Sequence, residues 1–330
     1  MRAQLLAAFG GPENLRLVDV PAPALRPGHV LIRVAASSVN PVDLRIRSGS
    51  PIRPDRPDLP AVLGCDVAGT VEAVGEGVES FAVGDAVYGC AGGVRGQGGA
   101  LAEFMLADAR LLAPKPACLS MREAAALPLA SITAWDGLDR AGVGAGDLML
   151  VYGGTGGVGH LAVQLAKARG AWVAATVSST EAADVVLGLG ADVAINRRKE
   201  ESSAYVERLT AGRGFDVVFD TAGGPNLDLY FAVAAPNGRV VATRAHSTHD
   251  LSPLHRKSLS LHVVFMLLPM LLNEGRERHG RILKELAALV EGGRVRPLLD
   301  PARFDLSRAS DAHRHLESGK AVGKVVVEMT

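Results

Sequence analysis

The sequence predicts an α/β protein of two domains, in which a β-rich barrel is interrupted by a parallel sheet covered by helices. Its 330 residues exceed one ordinary core, since a single domain usually holds about 100–150 residues. Short β-branched stretches separated by turns fill the first 118 residues, whereas strands and helices alternate after Ser120. We therefore assign residues 1–119 and 261–330 to the barrel domain and residues 120–260 to the parallel-sheet domain.

The individual elements follow from local patterns. In the first part, strands are predicted at residues 30–34, 67–74 and 86–88. Ser120 and Glu123 form a capping box that opens a helix over residues 122–127. In the second part, a helix is predicted at 160–169, and strands at 147–152, 172–177, 192–195, 215–220 and 239–243. The remainder is predicted to form helices at 283–290 and 305–317 and a closing strand at 324–328.

The charge and cysteine content of the chain bear on which partners and which compartment are expected. Lys plus Arg equals Asp plus Glu, 35 each, which gives no basic or acidic surplus for nucleic acid or membrane binding. The three cysteines form no CxxC pair and indicate reduced thiols in a cytosol. Residues 259–272 are apolar, but a membrane span needs about 20 such residues, so a buried helix or pocket wall is predicted there. No signal peptide pattern precedes them, and we expect a cytoplasmic protein.

A glycine-rich loop carries the clearest chemical signal. Gly154-Thr155-Gly156-Gly157-Val158-Gly159 fits the pattern G-x-G-x-x-G, with a predicted strand before it and a helix after it. Such glycines let the backbone approach a pyrophosphate, which the free N–H groups of the helix N-terminus then bind. The sequence therefore predicts a dinucleotide site. The competing interpretation is a tight strand-to-helix turn without a ligand.

The end of the next strand bears on which dinucleotide binds. NAD sites usually carry Asp or Glu there, but this sequence has Thr176-Val177-Ser178-Ser179. Hydroxyl groups can bond the 2′-phosphate of NADP, and Arg197 and Arg198, after the third strand, supply positive charge nearby. We predict NADPH rather than NADH, with a merely solvated Arg197 as the alternative.

The chain resembles the medium-chain dehydrogenase/reductase superfamily, specifically its zinc-free, quinone-oxidoreductase-like (zeta-crystallin-like) branch. The likeness lies in residues 38–43, 63–71, 83–89, 98–104, 153–167 and 323–327, in family order along nearly the whole chain. It implies a GroES-like β-barrel catalytic domain plus a Rossmann domain with a doubly wound parallel sheet. It also implies a homodimer.

The same resemblance argues against zinc. Family members with a catalytic zinc hold it with Cys, His and Cys; here the first ligand falls near residues 38–40, and the His becomes Cys65. The third falls at Leu129-Ala130-Ser131, which has neither Cys nor His, and the four-cysteine structural lobe is absent. Since one cysteine beside Asp66 cannot make a three-ligand site, we expect no metal.

The family pattern also suggests roles for single residues. Asn40 matches an asparagine on the nicotinamide side of the cleft and is the candidate catalytic donor, with turn capping as the alternative. The candidate cofactor contacts are Thr133, Gly154, Thr155, Gly156, Gly157, Val158, Ser178, Arg197, Ala222, Phe265 and Lys324. Two departures weaken the match: Ser50-Pro51 replaces a tyrosine proton donor, and Ala182 replaces a lysine of NADPH-binding relatives.

These features predict an NADPH-dependent oxidoreductase that transfers hydride to a quinone or an α,β-unsaturated carbonyl without zinc. Without a Lewis acid, alcohol oxidation is difficult, whereas reducing an electron-poor acceptor needs only hydrogen bonds and a proton. One alternative is a zinc-free alcohol or enoyl-thioester oxidoreductase, for which the arginines between Arg45 and Arg56 would form a basic rim. Another is a dinucleotide-binding sensor or RNA-binding module with little turnover.

Overall fold

The computed structural model describes residues 1–49 and 55–329 and divides the chain into two units. The first unit comprises Met1–Ile132 and Leu267–Thr330, and the second comprises Thr133–Met266. Both boundaries lie further along the chain than the expected 119/120 and 260/261. The reason for the first is that Leu129, just after the expected boundary, is bonded to the barrel through Asp66. The reason for the second is that residues 260–263 pair into the parallel sheet.

Sixteen strands occur in the described residues. They are β1 (Arg2–Leu6), β2 (Leu15–Asp19), β3 (His29–Val39), β4 (Ala61–Val62), β5 (Asp66–Val74), β6 (Ala86–Cys90), β7 (Phe104–Asp108), β8 (Leu112–Pro114), β9 (Leu148–Tyr152), β10 (Trp172–Val177), β11 (Val193–Asn196), β12 (Phe215–Asp220), β13 (Ala234–Ala242), β14 (Ser260–Val263), β15 (Phe304–Asp305) and β16 (Val325–Glu328).

Eleven α-helices occur in the same part of the chain. They are α1 (Pro41–Ser48), α2 (Met121–Ala125), α3 (Pro128–Arg140), α4 (Gly159–Ala168), α5 (Thr180–Gly188), α6 (Ser202–Thr210), α7 (Leu227–Val233), α8 (Ser252–Lys257), α9 (Leu268–Leu272), α10 (Glu277–Glu291) and α11 (Ala309–Glu317). Among residues 1–49 and 55–329, no helix has the length and apolar character needed to cross a membrane.

The first unit is built mainly from antiparallel strands. Its larger sheet has the order β15-β16-β3-β5-β6-β8, with β7 also pairing with β3, and its smaller sheet has the order β2-β1-β4. The long strand β3 alternates buried and exposed residues at its start and is buried from Ala36 to Val39. That buried end, next to β16 and the start of β5, holds the polar cluster described below.

The second unit is a six-stranded parallel sheet in the order β11-β10-β9-β12-β13-β14. The order reverses at β9, which lies between β10 and β12, and the loop after β9 is the glycine loop. Ligands bind at such a reversal point, beyond the carboxyl ends of the strands. One face of the sheet is closed by an aromatic cluster of Tyr205, Phe215, Tyr230 and Phe231, which anchors α6 and α7. The packing of α6 and α7 on this face leaves the carboxyl ends of the strands at one edge, where the candidate site lies.

Most predicted elements are confirmed, and the differences have local causes. The Ser120–Glu123 capping box is present, although the helix that it opens ends at Ala125. Of the two interpretations of residues 259–272, a single buried helix is wrong, because strand pairing to β13 makes the first part β14, and only the last part forms α9. A pocket wall stays a prediction. Helix α1 had no predicted counterpart, since its eight residues are too few for a readable period.

Candidate functional site: a dinucleotide edge and a buried polar cluster

The second unit brings together most of the residues predicted to bind a dinucleotide. The glycine loop, Ser178 and Arg197 directly follow β9, β10 and β11. Ala222 and Phe265 are the second residues after β12 and β14. Because these strands are parallel neighbours, all five segments begin at the same edge of the sheet. Thr133 is the first residue of this unit and lies in α3, where it is buried.

The glycine loop is held in a shape that only glycine permits at three positions. Gly153 adopts a φ of +83°, in the left-handed region. A Cβ on Gly154 would lie 2.8 Å from the Cβ of Ala175 in β10, and one on Gly159 would lie 2.0 Å from the carbonyl oxygen of Gly153. The loop therefore presses on β10 on one side and on the first turn of α4 on the other.

Thr176 is a positioning residue that the sequence analysis did not identify. Its side chain is fully buried, its Oγ1 accepts a bond of 2.9 Å from the N–H of Gly153, and its carbonyl oxygen accepts one of 2.9 Å from Gly154. These two bonds fix the start of the loop against β10. A buried hydroxyl at the end of a strand is the only signal that the sequence offered.

The centre of the loop is left open to an anion. Across residues 1–49 and 55–329, the backbone N–H groups of Thr155, Gly157 and Val158 donate to no protein acceptor. They lie directly before α4, whose N-terminus carries a partial positive charge. Unpaired donors and a helix dipole at one point are the arrangement that binds a pyrophosphate.

The neighbouring strand ends carry charges of both signs. Ser178 is half-buried, whereas the hydroxyl of Ser179 is used to cap α5 through the N–H of Ala182 at 3.2 Å. Arg197 is exposed, and its guanidinium lies 6.0 Å from the ring centre of Tyr152. Glu181, in the first turn of α5, also lies here; a backbone N–H bond and then a bond with Ser179 lower its pKa. Glu181 lies beyond the end of β10, where an NAD-binding carboxylate is expected, so the sequence pattern gave no signal for it.

The end of β12 is rigid. The carboxylate of Asp220 accepts bonds from the N–H groups of Ala222 at 2.7 Å and Gly223 at 2.8 Å, while burial raises its pKa. Thr221 donates to the carbonyl oxygen of Tyr152 at 2.6 Å, which links this loop to β9. Ala222 is thereby presented on the surface of the edge.

Phe265 differs from its neighbours Val264 and Met266. These two are buried, whereas Phe265 is 38% exposed. A pure core role therefore does not describe Phe265. An exposed phenyl ring at a ligand-binding edge of a sheet is available to pack against a ligand.

The first unit contains a separate cluster of buried polar groups around Asp66. Its carboxylate accepts bonds from Ser38 Oγ at 2.6 Å, Asn40 Nδ2 at 2.8 Å and the N–H of Leu129 at 2.8 Å. The ammonium of Lys324 lies 3.4 Å from the same carboxylate and donates to Asn40 Oδ1. The structure thus brings together Asn40 and Lys324, and adds Ser38 and Asp66, which the sequence did not single out.

The amide of Asn40 has fixed partners on both sides. Its Oδ1 accepts from Lys324 and its Nδ2 donates to Asp66, and its second amide hydrogen has only a long contact of 3.4 Å, to the carbonyl oxygen of Ser38. The side chain is 2% exposed. The orientation of the amide is therefore set by charged neighbours, and one N–H retains capacity for a stronger bond.

Asp43 and Cys65 lie beside this cluster. Asp43 accepts a bond of 2.7 Å from the backbone N–H of Asn40, at the start of α1, and one of 3.4 Å from the thiol of Cys65. Burial raises the pKa of Asp43 to about 6. A hydrogen bond with Cys90, followed by burial, raises the pKa of Cys65 well above its usual range.

These residues do not fit a catalytic zinc. At the three places where the family's ligands fall, only Cys65 has a zinc-binding side chain, and the neighbouring Asp66 already pairs with the Lys324 ammonium. Ser131 is buried at the position of the third ligand. Nowhere in the described part of the chain do three His, Cys, Asp or Glu side chains group to hold a metal. We derive no step through zinc.

In the described part of the basic segment between Arg45 and Arg56, two arginines have partners within the protein. Arg47 is buried and pairs with Glu317, and the guanidinium of Arg56 lies 4.7 Å from the ring centre of Phe9. Arg53, together with the Ser50-Pro51 departure, lies outside the described residues.

Comparison with known proteins places the chain among dehydrogenases of this architecture. Residues 26–117 match the alcohol dehydrogenase GroES-like domain, and residues 189–327 match the zinc-binding dehydrogenase family. Two plant relatives cover 99% of this chain and 79% of their own length: a tomato (Solanum lycopersicum) 2-methylene-furan-3-one reductase at 36% identity, and an Arabidopsis thaliana chloroplastic NADPH-dependent alkenal/one oxidoreductase at 37%. A quinone oxidoreductase of Rattus norvegicus is 34% identical, covering 99% of this chain and 97% of its own.

Solved structures of similar proteins have the same fold as this chain. An alcohol dehydrogenase superfamily protein from Novosphingobium aromaticivorans superposes with a TM-score of 0.95 at 43% identity, covering all of both chains. A mycobacterial protein solved in complex with NADPH superposes with a TM-score of 0.88 at 33% identity, again covering all of both chains. The class defined by fold and sequence is an oxidoreductase. Within it, the chain belongs to the medium-chain dehydrogenase/reductase superfamily, in the group of the quinone oxidoreductases.

The raised pKa of Asp43 predicts a pH-dependent stability difference between the wild type and Asp43→Asn. Because the folded-state pKa is about 6 against 3.8, the folded protein holds this proton more tightly than the unfolded chain. The wild type should therefore lose stability relative to the variant as pH rises from about 4 to about 6, by about 3 kcal/mol in total. Urea unfolding at a series of pH values measures the difference. Groups that titrate alike in both proteins cancel in the difference between their free energies of unfolding. A difference that does not change with pH would contradict the prediction.

Proposed function

We propose that this chain is an NADPH-dependent oxidoreductase that transfers hydride to a quinone or an α,β-unsaturated carbonyl, independently of zinc. The observation that carries the proposal is the open glycine loop, whose three unpaired N–H groups lie at the carboxyl edge of the parallel sheet. The relatives named for quinones and for alkenals and alkenones support the acceptor class, and the relative named NADPH-dependent supports the cofactor.

The residues at the sheet edge fit a dinucleotide. The N–H groups of Thr155, Gly157 and Val158, with Gly154 and Gly156 allowing close approach, would hold its pyrophosphate. Ser178 and Arg197 would contact the 2′-phosphate, and Ala222 and Phe265 would line the rest of the edge. Thr133 and Lys324 remain proposed contacts on the nicotinamide side. When bound, the cofactor supplies the hydride; the protein supplies orientation and a dry environment for the developing charge.

Asn40 is the proposed hydrogen-bond donor to the acceptor's oxygen. Reduction leaves negative charge on an enolate or hydroquinone oxygen, which a pre-oriented N–H stabilises without reorganisation. The bonds from Asn40 to Lys324 and Asp66 hold the amide in place, and the ammonium on its Oδ1 polarises the remaining N–H. The proton that completes the reduction comes from water in this scheme.

The enoyl-thioester alternative loses one of the four arginines of its basic rim, since Arg47 is buried in an ion pair.

We further propose a cytoplasmic homodimer. The edge strand β14 pairs only with β13 in the described residues, and Val263 at its end is 45% exposed, so a second copy can extend the sheet. Light scattering should give twice the chain mass; a monomer would refute the dimer without touching the reductase proposal.

The acceptor class is tested on the wild-type protein. NADPH should be oxidised in the presence of ortho-quinones, para-quinones or enones, with simple aldehydes reduced more slowly and simple alcohols not oxidised by NADP⁺, because no Lewis acid activates the hydroxyl. Loss of the near-ultraviolet absorbance of NADPH measures the rate. Prior treatment with a chelator should leave that rate unchanged, and metal analysis should find no stoichiometric zinc. NADPH binding without turnover on any acceptor would point to the sensor alternative.

Cofactor preference is tested at Arg197. Replacing it with alanine should raise the KM for NADPH about tenfold or more and leave that for NADH unchanged, since a charge-assisted bond to phosphate contributes about 1.5–3 kcal/mol. Steady-state kinetics with both cofactors measure the effect. Arg198→Ala is the matched control, because Arg198 is exposed on the same loop. Equal effects of the two substitutions would remove the assignment to Arg197.

The role of Asn40 is tested by Asn40→Ala. Losing one oxyanion donor should lower kcat about 100-fold, with little change in NADPH affinity. Because the substitution also leaves Lys324 and Asp66 without their shared partner, NADPH binding and a thermal unfolding curve serve as the check on folding. A folded variant with wild-type kcat would show that Asn40 only caps α1.

A further inference from the structure

A second group of chemically competent side chains lies in the parallel-sheet unit, in the loop between β13 and α8. His249 Nδ1 lies 2.9 Å from Asp228 Oδ1, and His249 Nε2 is hydrogen-bonded to Ser247 Oγ. A carboxylate can only accept, so Nδ1 carries the proton and Nε2 is left as an acceptor for the Ser247 hydroxyl. This is the order of contacts in a nucleophile–base–acid triad.

The group is supported by the fold on two sides. Asp228 is in the first turn of α7, whose residues Leu227, Tyr230 and Phe231 are buried in the core. The His249 ring packs edge-on against Phe231 at 6.5 Å, and its side chain is only 5% exposed. Ser247 is exposed. The base is therefore held in place while the nucleophile faces solvent.

Donors for a developing oxyanion lie next to the nucleophile. Within residues 1–49 and 55–329, the backbone N–H groups of Ser247 and Thr248 have no hydrogen-bond acceptor. In acyl-transfer enzymes, the N–H of the nucleophile or that of the residue after it contributes to the oxyanion hole. The oxygen of Ser247 also lies 3.3 Å from the carbonyl oxygen of Gly224, a longer contact than the one to His249 Nε2.

We propose that Ser247, His249 and Asp228 form an acyl-transfer site that hydrolyses small activated carboxylic esters, in addition to the reductase activity. The Ser247 oxygen bonds to the ester carbonyl carbon as its proton passes to His249 Nε2. The bond to the alcohol or phenol oxygen then breaks, and that oxygen takes the proton from His249. Water repeats the sequence on the acyl-serine, which yields a carboxylic acid and restores Ser247, so no oxidant or cofactor is consumed.

The full-length protein is treated with a fluorophosphonate probe, and the modified residue is identified by peptide mass mapping. The adduct should be on Ser247 and should disappear in Ser247→Ala. The rate of labelling, and of p-nitrophenyl acetate hydrolysis, should fall about 100-fold or more in His249→Gln, in line with loss of a general base, and less in Asp228→Asn. His246→Gln is the matched control, because His246 is exposed on the same loop and the hydrogen bonds of Ser247 Oγ that the structure describes go to Gly224 and His249 instead.

Thermal unfolding and NADPH oxidation show that each variant is folded. Should His249→Gln fail to fold, Asp228→Asn carries the test, because Asp228 is 61% exposed at its side chain. The proposal is overturned by absence of an adduct on Ser247 or by ester hydrolysis at the wild-type rate in Ser247→Ala. It is also overturned by labelling equal to wild type in both His249→Gln and Asp228→Asn. The three residues would then only tie the loop to α7.

Discussion

The carboxylate of Asp66 is the contact on which the first unit depends. It is fully buried and joins four segments that are distant in sequence: the end of β3 through Ser38, the start of α1 through Asn40, the start of α3 through Leu129, and the entry to β16 through Lys324. Removing one partner of such a buried pair costs about 3–5 kcal/mol, because the other charge is left uncompensated. The same carboxylate orients the amide of Asn40, so Asp66 both stabilises the first unit and positions the candidate catalytic donor.

In the second unit, the structure of the site depends on how closely the backbone of the glycine loop approaches β10 and the first turn of α4. The glycine loop can lie against β10 only because Gly154 has no Cβ, and α4 can begin where it does only because Gly159 has none. Thr176 then fixes the loop with two bonds from its side chain and its carbonyl oxygen. The unpaired N–H groups follow from this geometry, since a loop pinned at its start and continued as a helix leaves its middle donors without acceptors.

The ends of β10 and β11 carry both a positive charge, on Arg197, and a negative charge, on Glu181. Arg197 and the helix dipole of α4 favour a phosphate, whereas Glu181 contributes a carboxylate in the first turn of α5. Cofactor selectivity in this chain therefore depends on how far these opposite charges are from the 2′ position. A family resemblance alone does not settle such a balance, because Ala182 removes the lysine on which relatives rely.

The sequence by itself determined the α/β class, five of the six parallel-sheet strands and the position of the glycine loop, because strand alternation, capping residues and glycine spacing are local patterns. It also placed Asn40 and Lys324 as candidates, but only through resemblance. The tertiary structure alone decided that these two bond to each other and to Asp66, that residues 259–272 split into β14 and α9, and that Ser247, His249 and Asp228 meet. Each of these depends on contacts between segments far apart in the chain or on strand pairing, which residue spacing along the sequence does not encode.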